Sequence, residues 1–387
     1  MGIGWNINNE KFLKDTGVFD LLKLRASIGF TGSQNFNSYQ SLATYTYYTD
    51  RYYNSAAGTY LMGMANNNLK WQRKMDRNIG LDASVFKRRL SLRFDYYNAI
   101  TDDLLTNVTI PSSTGFTTYK ENLGKVENKG WEAYVNARLF EQNSTRSYFN
   151  IYASLSHNSN KIKEISNALE SYNNSLLRGR STNPVLVYQE GQSMTAIRAV
   201  RSMGIDPATG QEVYIKRDGT TTFTWSSDDQ VIVGDSEADI YGNCGFNASY
   251  RGFQLNVGMT YQFGGMIYNS TLVSKVENAN LSNNVDRRVF TDRWTKPGDV
   301  ARFKAMSDES TTYTTERFVE KNDVWNFSSI NLSYDFDRIK AVRKAGFSRL
   351  RLSFDMTDIA RIASMKTERG TSYPYAKSCS FSLQAIF

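Results

Sequence analysis

The chain has 387 residues, with 46 Lys and Arg against 38 Asp and Glu, and a net charge of +8. Its single histidine excludes a His-rich metal centre, and its apolar runs are shorter than the roughly 18 residues that a transmembrane helix needs. The two cysteines, Cys244 and Cys379, lie in separate predicted strands, so two packed apolar side chains are a better interpretation than a disulfide or a metal site. With 24 Tyr, 22 Phe and 5 Pro, the composition favours β-structure.

About ten segments along the chain alternate between apolar and polar residues. This period of two predicts strands with one apolar and one polar face. In the first segment, for example, Leu22, Leu24 and Ala26 lie opposite Lys23 and Arg25. In chain order the segments are residues 22–30, 78–85, 90–97, 131–139, 149–156, 244–250, 255–263, 330–336, 350–356 and 379–387. Their lengths suit the roughly 9–11 residues with which a tilted strand crosses a bilayer.

The connections between these segments are alternately short and long. The short ones are residues 87–89, 141–146, 251–253 and 337–347, and the long ones are residues 33–72, 105–125, 162–236, 265–322 and 361–374. This pattern is typical of an antiparallel transmembrane β-barrel, whose periplasmic turns are short and whose extracellular loops are long. On this interpretation the chain enters its first strand from the periplasm and ends there, so we expect an even number of strands.

Charged residues occur in the polar phase of several predicted strands. They are Arg25, Asp82, Arg93, Asp95, Asp335, Arg351 and Asp355. Because a charge that faces lipid costs a few kcal/mol, we expect these side chains to face a watery lumen or a protein that fills it. In residues 255–263 the same argument directs Val257, Met259 and Tyr261 outward, and Thr260 and Gln262 inward.

Several stretches along nearly the whole chain resemble the SusC/RagA family of TonB-dependent outer-membrane transporters, in the C-terminal half of the β-barrel. They are GWNINNEKFLKD and LKLRASIGFTGSQNF near the start, NLGKVENKGWEAYV at 122–135, EGQSMTAIRAVRSMGIDPATGQEVYIKRDG at 190–219, NVDRRVFTDRWTKPGD at 284–299, and the final strand. The resemblance implies that residues 1–387 form about ten strands of a 22-stranded barrel in the outer membrane of a Gram-negative bacterium.

The resemblance also implies a function and partners. Members take up oligosaccharides or peptides with a SusD-like surface lipoprotein and the TonB complex, in contact with outer-membrane lipid and without a cofactor. We expect the signal peptide, the TonB box and the N-terminal plug to be absent from this sequence. Ten strands alone would leave two unpaired edges, which hydrocarbon does not tolerate. The chain would then pair with a missing half, close as a smaller barrel, or not insert.

Two groups of aromatic residues are candidates for binding. The first long connection is rich in tyrosine, and its candidate residues for substrate or partner binding are Tyr45, Tyr47, Tyr48, Tyr52 and Tyr53. Flat rings beside Asn and Gln suit sugars or peptide side chains, although packing of the connection on its neighbours or on the lid protein is the alternative. Trp225, in the longest connection, is a further candidate.

Two further features follow from the resemblance. Phe387 corresponds to the terminal aromatic residue by which such barrels are recognised for assembly. The stretch DRWTKPGD is typical of the family, and its residues are Asp292, Arg293, Trp294, Pro297, Gly298 and Asp299. Pro-Gly indicates a turn, and we expect Trp294 to anchor that turn by packing rather than to act in catalysis.

Other function classes find less support in the sequence. We predict no enzyme, because the common nucleophile, phosphate-loop and zinc motifs do not occur and His157, Asp102 and Asp103 are a weak protease-like set. The Lys and Arg residues form no dense run, so no nucleic-acid partner is expected. The alternative to a transporter is a smaller free-standing outer-membrane barrel with adhesive or protease-like outer loops, and a product that does not insert is a further possibility.

Overall fold

The computed structural model describes residues 1–14, 16–34, 41–110, 112–116, 118–122, 124–366 and 376–387. Strands and helices are numbered in chain order within these ranges. The strands are β1 Gly2–Asn6, β2 Phe19–Ser33, β3 Tyr45–Tyr53, β4 Ala56–Leu61, β5 Gln72–Val85, β6 Leu90–Asp102, β7 Leu105–Thr109, β8 Thr118–Asn122, β9 Gly124–Gln142, β10 Ser147–Ile165, β11 Ala196–Ile205, β12 Glu212–Ile215, β13 Thr221–Thr222, β14 Gln230–Asp235, β15 Ile240–Tyr250, β16 Phe253–Phe263, β17 Met266–Tyr268, β18 Val319–Lys321, β19 Val324–Asp335, β20 Arg349–Ala363 and β21 Cys379–Ile386. The helices are α1 Lys11–Lys14, α2 Asn167–Leu177, α3 Ser270–Leu272, α4 Arg288–Thr291 and α5 Lys340–Lys344, with a π-helix at Val273–Glu277 and 3-10 turns at Ile7–Asn9, Ser112–Thr114, Asn143–Thr145, Ser227–Asp229, Glu316–Phe318 and Phe336–Arg338.

Eleven of the described strands form one antiparallel sheet, in the order β1-β2-β5-β6-β9-β10-β15-β16-β19-β20-β21. Ten of them contain the predicted segments, so the all-β antiparallel fold is confirmed. The eleventh, β1, was missed because a five-residue strand is too short for its alternation to stand out. The expected even number of strands is therefore wrong for this sheet. Its edges are β1 and β21, and no pairing between them occurs in the described residues, so the sheet does not close on itself as a smaller barrel.

The register of the sheet places apolar side chains in rows that run from strand to strand. One row consists of Trp5, Leu24, Leu81, Phe94, Ala133, Leu155, Gly242, Tyr261, Trp325 and Ile362. Because residues opposite each other in neighbouring strands share a face, the apolar face predicted from the alternation is continuous across ten strands. Large side chains on this face are open to the surroundings, such as Phe381 at 72% and Leu383 at 67% exposure.

The long connections contain structure of their own. The first two form the hairpins β3–β4 and β7–β8. The next two, residues 166–239 and 264–323, contain a four-stranded sheet in the order β13-β12-β11-β14, the β17–β18 pair and the helices α2 to α4. We call these two connections together the outer unit. The predicted alternation of short and long connections is thus present, and four of the long connections contain strands or helices. Most of the fifth, predicted at 361–374, lies outside the described residues.

The buried apolar clusters of the described residues lie in or against the outer unit. The largest consists of Leu272, Val273, Val276, Val289, Phe303 and Phe318. A second joins Val200, Tyr214 and Trp225, and a third packs Leu169 of α2 on the outer ends of β9 and β10. Most of the clustered apolar side chains are therefore buried within the outer unit, with Val126 and Ile162 of the large sheet packed against α2, while the apolar face of that sheet stays bare. None of the described helices has the length and apolar character to cross a membrane.

Candidate functional site

The charged residues lie on the polar face of the large sheet, as the alternation predicts, and they form two clusters there. In the first, Arg25 Nε donates to Asp82 Oδ2 at 2.8 Å and Arg25 Nη2 to Asp95 Oδ2 at 3.2 Å, while Arg93 Nε lies 3.0 Å from the same Asp95 oxygen. Gly80 makes room for them, because a Cβ at this position would lie 2.4 Å from Asp95 Oδ1. Partly exposed ion pairs contribute about 0–1 kcal/mol each, so the main effect of the cluster is to balance charge on this face.

The second cluster lies near the opposite edge of the sheet. Arg351 donates to both oxygens of Asp335, at 2.6 and 2.7 Å, and Arg349 lies 3.7 Å from the same carboxylate. Next to them, Asn331 Nδ2 donates to Asp355 Oδ1 at 2.6 Å. Six of the seven charged residues singled out in the sequence thus form ion pairs on one face, and the seventh, Asp355, is held by an amide. A face of this kind is suited to contact with water or with a polar ligand.

A pocket of about 640 Å³ lies on the polar face where the strands meet the outer unit. We call it the wall pocket. Two neighbouring rows of the register form its floor, Ser154–Asn243–Thr260–Asn326 and Ser156–Tyr241–Gln262–Val324, across β10, β15, β16 and β19. The other residues that line it are Ser236, Glu237, Ala238, Gly242 and Tyr261.

The floor of the wall pocket is rich in hydroxyl and amide groups. Ser154 Oγ accepts from the backbone N–H of Asn243 at 3.1 Å, and Gln262 Nε2 donates to the Asn322 carbonyl at 3.3 Å. Thr260 Oγ1 lies 3.3 Å from Ser328 Oγ. Asn326 Oδ1 is buried and has no hydrogen-bond partner.

Glu237 brings a carboxylate to the rim of the wall pocket. Asn158 Nδ2 donates to its Oε1 at 3.0 Å and Asn160 Nδ2 to its Oε2 at 3.2 Å. The backbone N–H of Glu237 donates to Asp235 Oδ1 at 2.9 Å, so both the chain and the side chain are held. The described residues that line the pocket include no Lys or Arg. The Glu237 carboxylate is therefore held by amides rather than by a cation of the described lining.

The protease-like set is not assembled. His157 Nδ1 lies 2.6 Å from the carbonyl oxygen of Asp239, to which it donates, and its ring stacks on Trp131. The register places Trp131 opposite Tyr96, six residues before Asp102 on β6. Asp102 itself pairs with Arg73 at 3.1 Å. His157 and Asp102 therefore act in separate local contacts.

The tyrosines of the first long connection lie on the β3–β4 hairpin. The Tyr48 and Tyr60 rings pack against each other in a tilted arrangement, with centroids 4.7 Å apart, and Arg51 lies over the Tyr48 ring. Tyr45, Tyr47, Tyr52 and Tyr53 are open to solvent, and Tyr53 is 86% exposed. Four of the five predicted tyrosines are thus available to a ligand or a partner, and Tyr48 is partly used within the hairpin.

Trp225 does not present its ring in this way. It is only 9% exposed, its Nε1 donates to the Thr314 carbonyl at 3.0 Å, and its ring packs on Tyr313. Little of the Trp225 ring is therefore open to a ligand, and its predicted binding role stays a prediction.

The DRWTKPGD stretch joins the two halves of the outer unit. Trp294 Nε1 donates to the Pro207 carbonyl at 2.8 Å, and the indole lies so close over Gly210 that a Cβ there would be 2.6 Å from it. Gly298, with a φ of 97°, also donates its backbone N–H to the Pro207 carbonyl, at 2.8 Å. Within the turn, Asp299 Oδ2 accepts from the Thr295 hydroxyl at 2.5 Å.

Further contacts of the stretch extend this junction. Arg293 Nη1 donates to the Lys304 carbonyl at 3.2 Å, and the Asp292 carbonyl accepts from the backbone N–H groups of Arg302 and Phe303. The stretch thus links the turn after β11 to the loop between α4 and β18.

A buried ion triad makes a second junction. Arg317 Nη2 lies 2.8 Å from Glu212 Oε2 on β12 and 2.6 Å from Glu277 Oε1 on the π-helix. The Glu277 side chain is 0% exposed and that of Arg317 7%. The Thr315 hydroxyl also donates to Glu212, at 2.5 Å. Because removal of one partner would leave a buried charge unpaired, the triad holds the two connections in one arrangement.

The wall pocket was not predicted from the sequence as a site. The alternation did direct Thr260 and Gln262 to the polar face, and Ser154 and Asn243 share that phase. The missing element was Glu237, which reaches the pocket from the outer unit. Its position depends on Asn158 and Asn160, almost 80 residues earlier in the chain.

Comparisons with known proteins agree with this architecture. Residues 2–185 match the family model described as TonB dependent receptor-like, beta-barrel. The chain is 28% identical over 401 aligned positions to TonB-dependent receptor P39 of Formosa agariphila, with 92% of this chain and 38% of that protein covered. It is 31% identical to TonB-dependent receptor P3 of the same organism, with 70% of this chain and 28% of that protein covered.

Two further likenesses concern the SusC and RagA type. The chain is 25% identical to TonB-dependent receptor SusC of Bacteroides thetaiotaomicron, covering 88% of this chain and 34% of that protein. A chain of the RagAB peptide transporter has the same fold, with a TM-score of 0.75, 20% identity, and coverage of 94% of this chain and 40% of that one. The chain thus spans about two fifths of these proteins or less, and it belongs to the TonB-dependent receptor family, among relatives of the SusC/RagA type.

Proposed function

We propose that this chain forms wall strands and outer loops of an outer-membrane transporter, which takes up oligosaccharides or peptides by a TonB-dependent route together with a SusD-like lipoprotein. The observation that carries the proposal is the bare apolar face of the eleven-stranded sheet. An apolar face that continues across ten strands is much larger than the few hundred Å² of contiguous apolar surface that soluble proteins ordinarily expose. We therefore expect another apolar phase or molecule to cover it. Outer-membrane lipid is the cover that matches strands of this length and alternation.

The opposite face supports a polar passage. The two charge clusters and the wall pocket lie on it, and their charges are largely compensated within the wall. A passage lined in this way lets polar nutrients approach without an excess of one charge. The dependence on the TonB complex is proposed from the TonB-dependent relatives, which are longer than this chain.

The outer unit and the β3–β4 hairpin are the surfaces that we assign to the lipoprotein partner and to the first contact with substrate. Exposed tyrosines such as Tyr47 and Tyr53 offer large, rigid contact area at low cost in side-chain entropy. The outer unit is held by Trp294 and by the Arg317 triad, so it presents one shape to a partner.

The proposal is tested by uptake in cells. Three strains of the source bacterium are compared: the parent, one in which the gene carrying this chain is deleted, and one that lacks TonB. Fluorescent neutral oligosaccharides and peptides are offered, and accumulation and surface binding are measured separately. We expect the first deletion to abolish both for one substrate class, and TonB loss to abolish accumulation alone. Unchanged accumulation of every substrate after the first deletion would contradict the proposal.

A further inference from the structure

We propose that the wall pocket is a binding subsite for a neutral, hydroxyl-rich group, such as one ring of a neutral oligosaccharide, and that it rejects anionic ligands. This inference rests on the proposed transport function, because it names the substrate class of the same protein. The pocket's volume of about 640 Å³ lies within the roughly 300–1,000 Å³ of typical small-molecule sites.

The chemistry of the floor favours hydroxyl groups. Asn243, Gln262 and Asn326 supply both donors and acceptors through their amides, and Ser154 and Thr260 add hydroxyls that can do either. A sugar ring presents several hydroxyls in fixed directions, each of which also donates and accepts. The hydroxyls of a sugar ring therefore match the donors and acceptors of this floor.

The charge of the rim favours a neutral ligand over an anionic one. Glu237 is the charged residue among those described in the lining, and its carboxylate is oriented by Asn158 and Asn160. A carboxylate accepts hydrogen bonds from two neighbouring hydroxyls, but it repels a uronate, a sulfate or a phosphate. Arg361 lies opposite Asn326 in the register yet does not line the pocket.

The lining also argues against a peptide as the occupant. Specific recognition of a peptide uses recesses for its apolar or aromatic side chains. The aliphatic side chains of the pocket are Ala238 and Val324, one of which is a single methyl group. Apart from Gly242 and the ring of Tyr241, the other side chains of the floor and rim end in amides, hydroxyls or a carboxylate, so an apolar side chain laid on them would displace water without replacing its hydrogen bonds.

The test measures binding by the purified protein, in the form in which the cell makes it, in detergent and in the absence of TonB. The probes are hexasaccharides of four neutral types, made of β-glucose, α-glucose, β-mannose or β-xylose units, together with a β-glucuronate hexamer and a Ser-Gly hexapeptide. We expect saturable binding of at least one neutral hexasaccharide, with at least ten-fold weaker binding of the glucuronate and of the peptide.

Three variants locate that binding. Asn326→Ala is expected to weaken the neutral ligand at least five-fold. Glu237→Gln is expected to improve glucuronate binding at least five-fold, because it removes the repelling charge and keeps the shape. Asn256→Ala is the matched control: Asn256 lies on the same face of β16, bonded to Asn331 at 3.2 Å, and outside the pocket, so binding should not change.

Each outcome decides the inference. Absence of saturable binding to every neutral probe, preference for glucuronate or peptide, or equal effects of Asn326→Ala and Asn256→Ala would each overturn it. Circular dichroism and heat-modifiable migration confirm that every variant is folded. The binding assay is independent of uptake, so it separates the further inference from the proposed function. A protein that binds a neutral hexasaccharide but does not support its accumulation in cells would contradict the proposed function alone.

Discussion

Single residues of the outer unit make long-range contacts that cannot be predicted from the local loop sequence. Trp294 is the clearest case, because its indole covers Gly210 and donates to the Pro207 carbonyl. Gly210 has a φ of 73° and no room for a Cβ, so two separate constraints require glycine there. One aromatic side chain thus sets how a turn near β11 sits on the stretch that follows α4.

Trp294→Ala is therefore expected to destabilise the outer unit by about 2 kcal/mol, the value for loss of a large apolar contact. Hydrogen exchange of residues 206–211 and 294–299 measures the effect. Trp294→Phe keeps a ring over Gly210 and loses the hydrogen bond, so its loss of protection should be smaller. If Trp294→Ala left protection of both segments unchanged, the contact would have no structural role.

Asp299 gives the same turn a dependence on pH. The hydrogen bond from the Thr295 hydroxyl, with further bonds from the backbone N–H groups of Lys296 and Thr295, holds the pKa of Asp299 below its ordinary value of 3.8. The stabilisation is fully present above that ordinary value, and it is lost as the pH falls through the lowered pKa.

The expected result is a difference between wild type and Asp299→Asn that depends on pH. Protection of residues 294–299 should be greater in the wild type at pH 6, and the difference should disappear at acid pH, where both side chains are neutral. Exchange at each pH is compared only between the two proteins, because intrinsic exchange rates change with pH. A constant difference down to pH 2 would show that Asp299 does not titrate in this way.

At the scale of elements, the strands of the large sheet were predictable and the outer unit was not. In a pleated strand successive side chains point to opposite faces. Leu24 and Arg25 could therefore be assigned to opposite faces from the local sequence alone. The strands β12 to β14 have only two to six residues, and β11 is held by a distant partner, since the backbone N–H of Val200 donates to the Thr314 carbonyl. Alternation within a short window carries no information on such contacts.

The last strand allows a test of the predicted assembly role of Phe387. Its ring packs on Phe347, with centroids 4.7 Å apart, and is otherwise 84% exposed. Loss of this pair should cost no more than about 1.5 kcal/mol. Phe347→Ala removes the same ring contact and leaves Phe387 in place, so it is the matched control.

If Phe387 is read by the assembly machinery, Phe387→Ala should reduce the amount of heat-modifiable protein in the outer membrane several-fold, while Phe347→Ala reduces it little. Membrane fractions of cells expressing each variant are compared on unheated and heated gels. Equal losses for the two variants would mean that Phe387 acts only through packing.

At the scale of the whole molecule, the sheet should place its two faces in different surroundings. In a background with Cys244→Ala and Cys379→Ala, single cysteines are introduced at Met259, Thr260 and Gln262. We expect a lipid-soluble maleimide to label position 259, and a water-soluble one to label positions 260 and 262. Labels with the opposite pattern would invert the assignment of the faces.

The wall pocket shows where sequence reasoning reached its limit at this scale. The alternation of β16 predicts that Thr260 and Gln262 face the polar side of the sheet. The pocket also needs a rim, and Glu237 of the outer unit forms part of it. That position results from hydrogen bonds to Asn158 and Asn160, which belong to β10. Contacts between a strand and a remote connection depend on how the connection folds, which periodicity does not describe.

The separation between buried clusters in the outer unit and a bare apolar sheet has a calorimetric consequence. Heating should produce two unfolding transitions. Unfolding of the outer unit exposes the buried cluster around Phe303 and Phe318 to water, whereas the apolar face of the sheet is in contact with lipid or detergent before it unfolds. The first should carry a large positive heat-capacity change, since apolar groups become hydrated, and the second a small one per residue. In differential scanning calorimetry, Arg317→Met, which removes the bonds of Arg317 to Glu212, Glu277 and the Arg302 carbonyl within the outer unit, should shift the first peak and leave the second in place.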